Sequence, residues 1–421
     1  MPENKTTNFV SHFTDLISRY KSLMTANNYD HIVIPAGMPI RQLFDDMDYP
    51  FKVNPQFKAL LPLVDNPHCH IVISGEAKPL VIYYQPVDFW HVVPTAPTGD
   101  WVDCVSIQTI ANPGDAIKHL PKTGRNVLLG EQKGVLEAVD FSAKNPESIV
   151  MPLNWQRAYK SEYEIDCIYR ANVIAAKAHN AARDAFYDKG SELSINRAYL
   201  LAAGGSENDM PYTNITCLNE HCAILHYMVS DNQIPAHHHS FLIDAGAQVN
   251  GYASDITRTY SFDQDNEFAD MIKAMDAMQL RLVDQMKHGA SYVDLHKDAH
   301  RQLGQILQDF NIVDMPVSDM LEQGVTSVFF PHGLGHQIGL QVHDVGGHQT
   351  NEQGGITPPP AEHPFLRNTR QMEAGQVLTI EPGLYFIDTL LEPLKQQAFS
   401  DNINWQKIDE LKKFGGIRIE D

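Results

Sequence analysis

The sequence predicts an α+β protein in two domains: a smaller mixed α/β domain, then a larger one that alternates strand pairs with helices. Three observations lead there. The chain of 421 residues is about two to three times the usual domain length. Its 43% hydrophobic and 20% charged content is that of a globular protein able to bury a core. Apolar residues fall into short runs of strand character and longer ones of helical spacing, with no internal repeat.

The elements follow in order. From about Asn8 to Ala26, Phe9, Phe13, Leu16, Ile17, Tyr20 and Leu23 recur at helical spacing. His31 to Pro35 reads as a strand, and Ile71–Ser74, a turn from Gly75 and Leu80–Tyr84 read as a strand pair. Strand and helix signals mix up to Leu153, without a glycine-rich phosphate loop. Ser161 and Glu164 fit a capping box that opens an alanine-rich helix running to about Tyr187 and stopping before Gly190. The domain boundary is expected just ahead of it, giving domains 1–158 and 159–421. A short helix around Ile195 to Ala203 and longer ones at Glu267–Lys287, closed by Gly289, and Tyr292–Gln308 follow. Val377 to Phe386 reads as a strand interrupted by a turn, and Gln349 to Pro364 as an irregular loop. The second domain is therefore expected to be a mostly antiparallel sheet with helices packed outside.

Composition narrows the function. A formal net charge of -20 argues against nucleic acid and against an anionic membrane surface as partners. Cys69, Cys104, Cys167, Cys217 and Cys222 are odd in number and lack CxxC spacing, so buried thiols in a reducing compartment are expected. The polar N-terminus shows no signal core, and no apolar run approaches bilayer length, so the expectation is a soluble cytoplasmic protein.

The chemistry starts in one hairpin. Phe241-Leu242-Ile243 is an apolar run ending in Asp244, and Tyr252 to Tyr260 carries Asp255. Asn250-Gly251 between them is a strong hairpin signal, because both accept the positive φ of a type I′ turn. That register pairs Asp244 with Thr257 and Gly246 with Asp255, so Asp244, Asp255 and Thr257 share a face. Two acids aimed at one point in an apolar hairpin need a cation.

Further features accompany it. His332-Gly-Leu-Gly-His336 sets two imidazoles among glycines, which are expected to let backbone approach a bound group. Glu381 stands at the end of an apolar strand, and Glu420 on the alternating strand Gly415 to Glu420. Singly, each has a bland reading as a solvated acid, a turn or a satisfied histidine. Together, one histidine and four carboxylates form a hard, oxygen-rich set suited to paired divalent ions, manganese first, with cobalt or zinc as substitutes. Two such ions would hold an activated hydroxide for metal-assisted hydrolysis.

Asp-Ala-Gly with Asp-Ile-Thr-Arg, His-Gly-Leu-Gly-His, Ile-Glu-Pro-Gly-Leu-Tyr and Ile-Arg-Ile-Glu-Asp, in that order, resemble the metal-binding motifs of the pita-bread metallopeptidases. The stretches around Asp45 and His343 resemble the bacterial Xaa-Pro dipeptidase (prolidase) branch, and within it the enzymes called organophosphorus acid anhydrolases. The resemblance covers essentially the whole chain. It implies a creatinase-like N-terminal domain, a pita-bread catalytic domain, and hydrolysis of dipeptides ending in proline, with side activity on organophosphorus triesters and fluorides. It also implies a homodimer and two divalent ions per subunit.

Residue by residue, the resemblance implies that Asp244 binds one ion, Asp255 and Glu420 bridge both, and His336 with Glu381 completes the other. Glu381 would also take the proton of the attacking water. His226 would lie near the leaving nitrogen, and His332 and His343 would polarise the carbonyl or steady the tetrahedral state. Arg367 would grip the substrate carboxylate, with Arg418 lining the same pocket. Tyr212, Leu225, Tyr292, Val342 and Leu366 would be pocket walls, and Asp45 would reach the substrate amine from a dimer partner. Relatives usually continue past Ile-Glu-Asp, whereas this chain stops at Asp421, so Glu420 is expected to have little downstream to anchor it. Three rivals stand beside this reading: an aminopeptidase P acting on longer Xaa-Pro peptides, a metal-free creatinase-like hydrolase, and a non-catalytic binding protein on the same scaffold.

Overall fold

The computed structural model describes residues 9–421, which fall into two compact units. The first contains the chain up to Cys167 with 250–252 and 351–354; the second contains 168–249, 253–350 and 355–421. No helix among the described residues is long and apolar enough to cross a membrane.

The first unit is a six-stranded mixed sheet with helices. Its strands are β1 (His31–Pro35), β2 (His70–Ser74), β3 (Leu80–Tyr84), β4 (Ser106–Ile110), β5 (Asn126–Leu128) and β6 (Ala143–Lys144), in the order β4-β3-β2-β1-β5-β6. β1 lies centrally, antiparallel to β2 and parallel to β5, and Ile32, Val33 and Ile34 are fully buried. A continuous apolar run is what a strand covered on both faces requires. The first helix spans Phe9–Ala26; Asn8, where the sequence reading began it, lies outside the described residues.

The second unit is built on short antiparallel ladders. β7 (Ile215–Leu218), β8 (Ser240–Asp244) and β11 (Thr257–Ser261) form one sheet in the order β11-β8-β7. β9 (Gln248–Val249) and β10 (Tyr252–Ala253) flank the turn, where Asn250 and Gly251 take φ of 52° and 85°. β12 (Gly383–Tyr385) pairs with β13 (Gly416–Arg418), and an isolated bridge joins Thr257 to Glu420. Alternation sorts the faces. Phe241 and Ile243 pack with Ala178, Ala182 and Phe186 of the helix Glu162–Tyr187, while Leu242, on the other face, packs with Ile215 and Cys217. Asp244 shares the face of Leu242.

The largest core lies between the helices Glu267–Asp284 and Tyr292–Asp309. Met271, Met275, Met278 and Leu282 of the first meet Leu295, Ala299, Leu303 and Leu307 of the second, at the three-to-four spacing of packed helix faces. Full burial of each large side chain contributes roughly 1.5–3 kcal/mol.

Local differences from the sequence reading have local causes. The helix expected to reach Lys287 stops at Asp284, where Gln285 and Met286 turn back onto Leu282 and Val283. Gly289 closes the following turn and gives its N–H to Met372. The short helix starts at Glu192, three residues early, because Ser191 caps it. Of Val377–Phe386, the sheet ladder holds Gly383–Tyr385, and the earlier part pairs instead with the segment after His332.

Candidate active site

Four pieces of backbone bring the acids together. The β8–β11 ladder places Thr257 opposite Asp244, and Ala245 N–H donates to Ile256 O, which holds Asp255 in register. Glu420 and Thr257 exchange backbone hydrogen bonds of 3.0 and 3.4 Å. Along the last strand Ile417 and Ile419 enter the core, so Arg418 and Glu420 fall on the opposite face. Thr379 N–H donates to His336 O and Glu381 N–H to Leu334 O, which sets Glu381 beside His336.

The two glycines of His332-Gly-Leu-Gly-His336 serve this pairing. A side chain at Gly335 would stand 2.2 Å from Thr379 O and 2.4 Å from Tyr292 Oη; one at Gly333 would meet Phe365 O at 2.8 Å. The close approach expected of these glycines is thus made by neighbouring protein backbone. The same contacts correct the role of Tyr292, expected as a pocket wall. It is fully buried behind the site and donates from Oη to Thr379 O at 2.8 Å.

The side chains converge as follows. Tyr212 Oη donates to Asp244 Oδ1 at 2.8 Å and also to Asp255 Oδ1. Arg418 Nη2 donates to Asp244 Oδ2 at 2.7 Å, and Thr257 Oγ1 donates to Glu420 Oε2 at 2.7 Å. His336 Nε2 lies 3.4 Å from Asp255 Oδ2 and 3.8 Å from Glu381 Oε1. One ligand atom each from Asp255, His336 and Glu420 lies within 4.8 Å of the other two. The remaining Glu420 oxygen, Oε1, is buried with no hydrogen-bond partner. Glu420, expected to be weakly anchored, is held from the side by Thr257 and by Arg258, which bonds its carbonyl.

The electrostatics ask for positive charge. Burial first, and neighbouring carboxylates second, push Asp255, Glu381 and Glu420 well above the usual carboxylic range. Arg418 offsets part of the repulsion, and Tyr212 adds a hydrogen bond but no charge. The His336 ring points Nδ1 at Gln337 O, 3.0 Å away; that nitrogen must carry the hydrogen, leaving the Nε2 lone pair toward the acids. An orphaned carboxylate oxygen, an available imidazole lone pair and mutually repelling acids fit divalent cations.

These groups line a cavity of about 400 Å³ with Leu225, His226, His332, His343, Phe365 and Arg367. His332 Nδ1 donates to Gly333 O at 2.8 Å, and its Nε2 accepts from Tyr385 Oη at 2.8 Å. Tyr385 Oη in turn accepts from Arg418 Nη1 at 3.0 Å. Burial, then Arg418, lowers the His332 pKa to about 3; burial, then His336, lowers that of His343 to about 3, so both imidazoles are neutral at pH 7.

Other expected pocket residues stand elsewhere. Leu366 is buried in the helix core, and Phe365, one residue earlier and 68% exposed, takes the wall in its place. Tyr212 sits beneath the two aspartates, and Val342 is not among the lining residues. Asp45 belongs to the first unit, where its Oδ1 accepts from the backbone of Asp46 and Met47. Sequence reasoning missed Tyr385 as a link between His332 and Arg418, although it ends the quoted Glu-Pro-Gly-Leu-Tyr motif.

Comparison with known proteins places these features in a family. Residues 7–155 match the family described as Xaa-Pro dipeptidase, N-terminal domain, and residues 166–421 match metallopeptidase family M24. The Xaa-Pro dipeptidase of Pseudoalteromonas haloplanktis is 50% identical over 98% of this chain and 94% of its own length. That of Shewanella denitrificans is 46% identical over the same shares. Among solved structures, aminopeptidase P from Escherichia coli in its low-pH form superposes with a TM-score of 0.73 at 20% identity, over 98% of this chain and 91% of that one. At that identity the likeness is one of fold.

Proposed function

The chain belongs to metallopeptidase family M24, and on that premise we propose that it is an Xaa-Pro dipeptidase, hydrolysing dipeptides that end in proline. One observation carries the reading: Asp244, Asp255, His336, Glu381 and Glu420 converge on one cavity, with a buried carboxylate oxygen left unpartnered.

Four carboxylates and one imidazole suit two hard divalent ions, manganese by preference, with cobalt or zinc as substitutes. Bound ions would supply Lewis acidity, lowering the pKa of a water and drawing electron density from the scissile carbonyl. Asp244, Asp255, His336, Glu381 and Glu420 would hold them. Glu381 would take the proton of the attacking water. His343, outside the Tyr385–Arg418 chain, would donate to the developing oxyanion. His332, with both nitrogens engaged, would join it by releasing the Gly333 carbonyl. His226 would stand at the proline nitrogen, and Arg367 would pair with the product-side carboxylate. Arg418, committed to Asp244, would position that ligand while lining the pocket.

Residues 1–158 would serve dimerisation and part of the substrate site, with Asp45 meeting the amine from a partner subunit, and 159–421 the catalysis. The exposed Leu43, Phe44, Phe89 and Trp90 support an apolar interface in that region, and sedimentation of the purified protein tests it. Five cysteines, none of them in a disulfide, support a cytoplasmic setting.

Hydrolysis of Leu-Pro and Ala-Pro by chelator-treated protein, with and without added manganese, tests the reading beside Glu381→Gln. Activity should appear only with manganese and fall by about a thousandfold or more in the variant. Equal activity in both would remove Glu381 as the base. Cleavage of Xaa-Pro-Yaa tripeptides in preference to dipeptides would move the assignment to an aminopeptidase P. A tetrahedral phosphorus centre resembles the tetrahedral state of peptide hydrolysis, so the same two proteins should differ in fluoride release from a fluorophosphonate. No release by the manganese-loaded enzyme would end that extension.

A further inference from the structure

The second unit buries another set of metal-ligating side chains away from the carboxylates. His296 and His300 stand four residues apart on the helix Tyr292–Asp309, where that spacing places both on one face. His363 comes from the irregular loop that follows Gln349. One ring nitrogen from each lies within 4.8 Å of those of the other two. The ring centroids are 4.7 Å apart for His296 and His300, 4.4 Å for His296 and His363, and 4.6 Å for His300 and His363.

Two observations separate this cluster from ordinary packing. His296 and His300 are each 1% exposed, yet His296 Nδ1 and His300 Nε2 have no hydrogen-bond partner. His300 Nδ1 is engaged by Thr326 Oγ1 at 3.1 Å, which turns the opposite nitrogen away from that helix neighbour. A buried polar atom without a partner costs about 1–3 kcal/mol, and here two occur in one cluster. Stacking on Phe330, 4.9 Å from the His300 ring, accounts for the rings but not for the idle nitrogens. Burial, then the neighbouring imidazoles, lowers His296 to about 2 and His300 to about 3, so both present neutral rings, the form that ligates.

We propose that His296, His300 and His363 form a second metal site, selective for a divalent ion that prefers imidazole nitrogen, with zinc as its occupant. The inference does not depend on the dipeptidase reading. Three neutral nitrogens suit zinc over manganese, the reverse of the oxygen-rich centre. A tetrahedral zinc with bonds of about 2.0–2.1 Å holds its nitrogens about 3.4 Å apart, so the rings must close inward. His363, the partly exposed member on a loop, is the one free to swing, and its exposure leaves a fourth position for water. Leu366 N–H donates to His363 O at 3.1 Å, and Phe365 and Arg367 beyond it line the catalytic cavity. A bound ion would therefore pin the wall of that cavity to the helix.

The test uses the manganese-loaded full chain, exposed to zinc, passed over a desalting column and counted for both metals. Wild type should gain about one zinc per chain while keeping its manganese, and His363→Ala should gain none with its manganese unchanged. Zinc should also slow proteolysis within residues 349–364 of wild type and leave His363→Ala unaffected. Zinc gained only as manganese is lost, or gained equally by His363→Ala, would overturn the proposal, and so would no gain at all. Because His363 is partly exposed, its variant tests the site without emptying the core, and His300→Gln serves as a second variant.

Discussion

Asp244, Asp255, Glu381 and Glu420 meet one imidazole at the cavity, whereas His296, His300 and His363 meet one another with no carboxylate among their ligand atoms. Both clusters are buried and both leave ligand atoms unpartnered. They differ in what burial does to charge. In the first it raises Asp255, Glu381 and Glu420 above the ordinary carboxylic range; in the second it lowers the imidazoles below theirs. The same low-polarity surroundings thus prepare one site for hard, highly charged ions and the other for a softer ion with neutral ligands. Ligand type, not depth of burial, separates the two.

The strongest way to break the comparison is Asp255→Asn. It should empty the carboxylate site of metal and lower kcat/KM by about a thousandfold. It should also raise the melting temperature of the chelated protein at neutral pH, because one of the repelling acids is gone. Metal content by elemental analysis and thermal melting check the two halves separately. A chelated variant no more stable than chelated wild type would show that the acids carry no strain.

Next in size is the pH dependence of the chelated protein, where the buried acids and the buried imidazoles act with opposite sign. Raised carboxyl pKa values mean that the unfolded chain ionises first as pH rises, so Asp255, Glu381 and Glu420 cost stability increasingly above about pH 4. Lowered imidazole pKa values mean that the unfolded chain takes up protons first as pH falls. His296, His300 and the cavity's His332 then cost about 1.4 kcal/mol each per pH unit below about 6.5, until their own low values are reached. Melting temperatures of chelated protein from pH 5 to 8 should fall at both ends, and manganese should restore the alkaline side alone. Recovery of both sides by manganese would contradict the division of the two sites.

The smallest effect is expected from Tyr385→Phe. Its hydroxyl joins His332 Nε2 to Arg418 Nη1, so the variant leaves two buried groups short of a partner without touching a candidate metal ligand. A roughly tenfold loss in kcat/KM with unchanged metal content is expected from steady-state kinetics and metal counting. Loss of metal would mean that Tyr385 also supports Asp244 through Arg418.

By itself the sequence determined whatever depends on local period and turn chemistry. Asn250-Gly251 set the register that pairs Asp244 with Thr257, and the alternation of Ile417 and Ile419 with Arg418 and Glu420 assigned the last acid to its face. The Ser161–Glu164 capping box likewise began its helix as read, with Ser161 N–H donating to Glu164 Oε2 at 2.7 Å. Tertiary structure decided what depends on non-local approach. The segment after His332 pairs with Val377–Glu381 because glycine leaves room for backbone, and this inverted the expected use of those glycines. Leu366 and Phe365 exchanged places because a loop has no fixed period from which to read a face. The histidine triad was invisible for the same reason: four residues join His296 to His300 on one helix, but only the folded path of a long loop brings His363 to them.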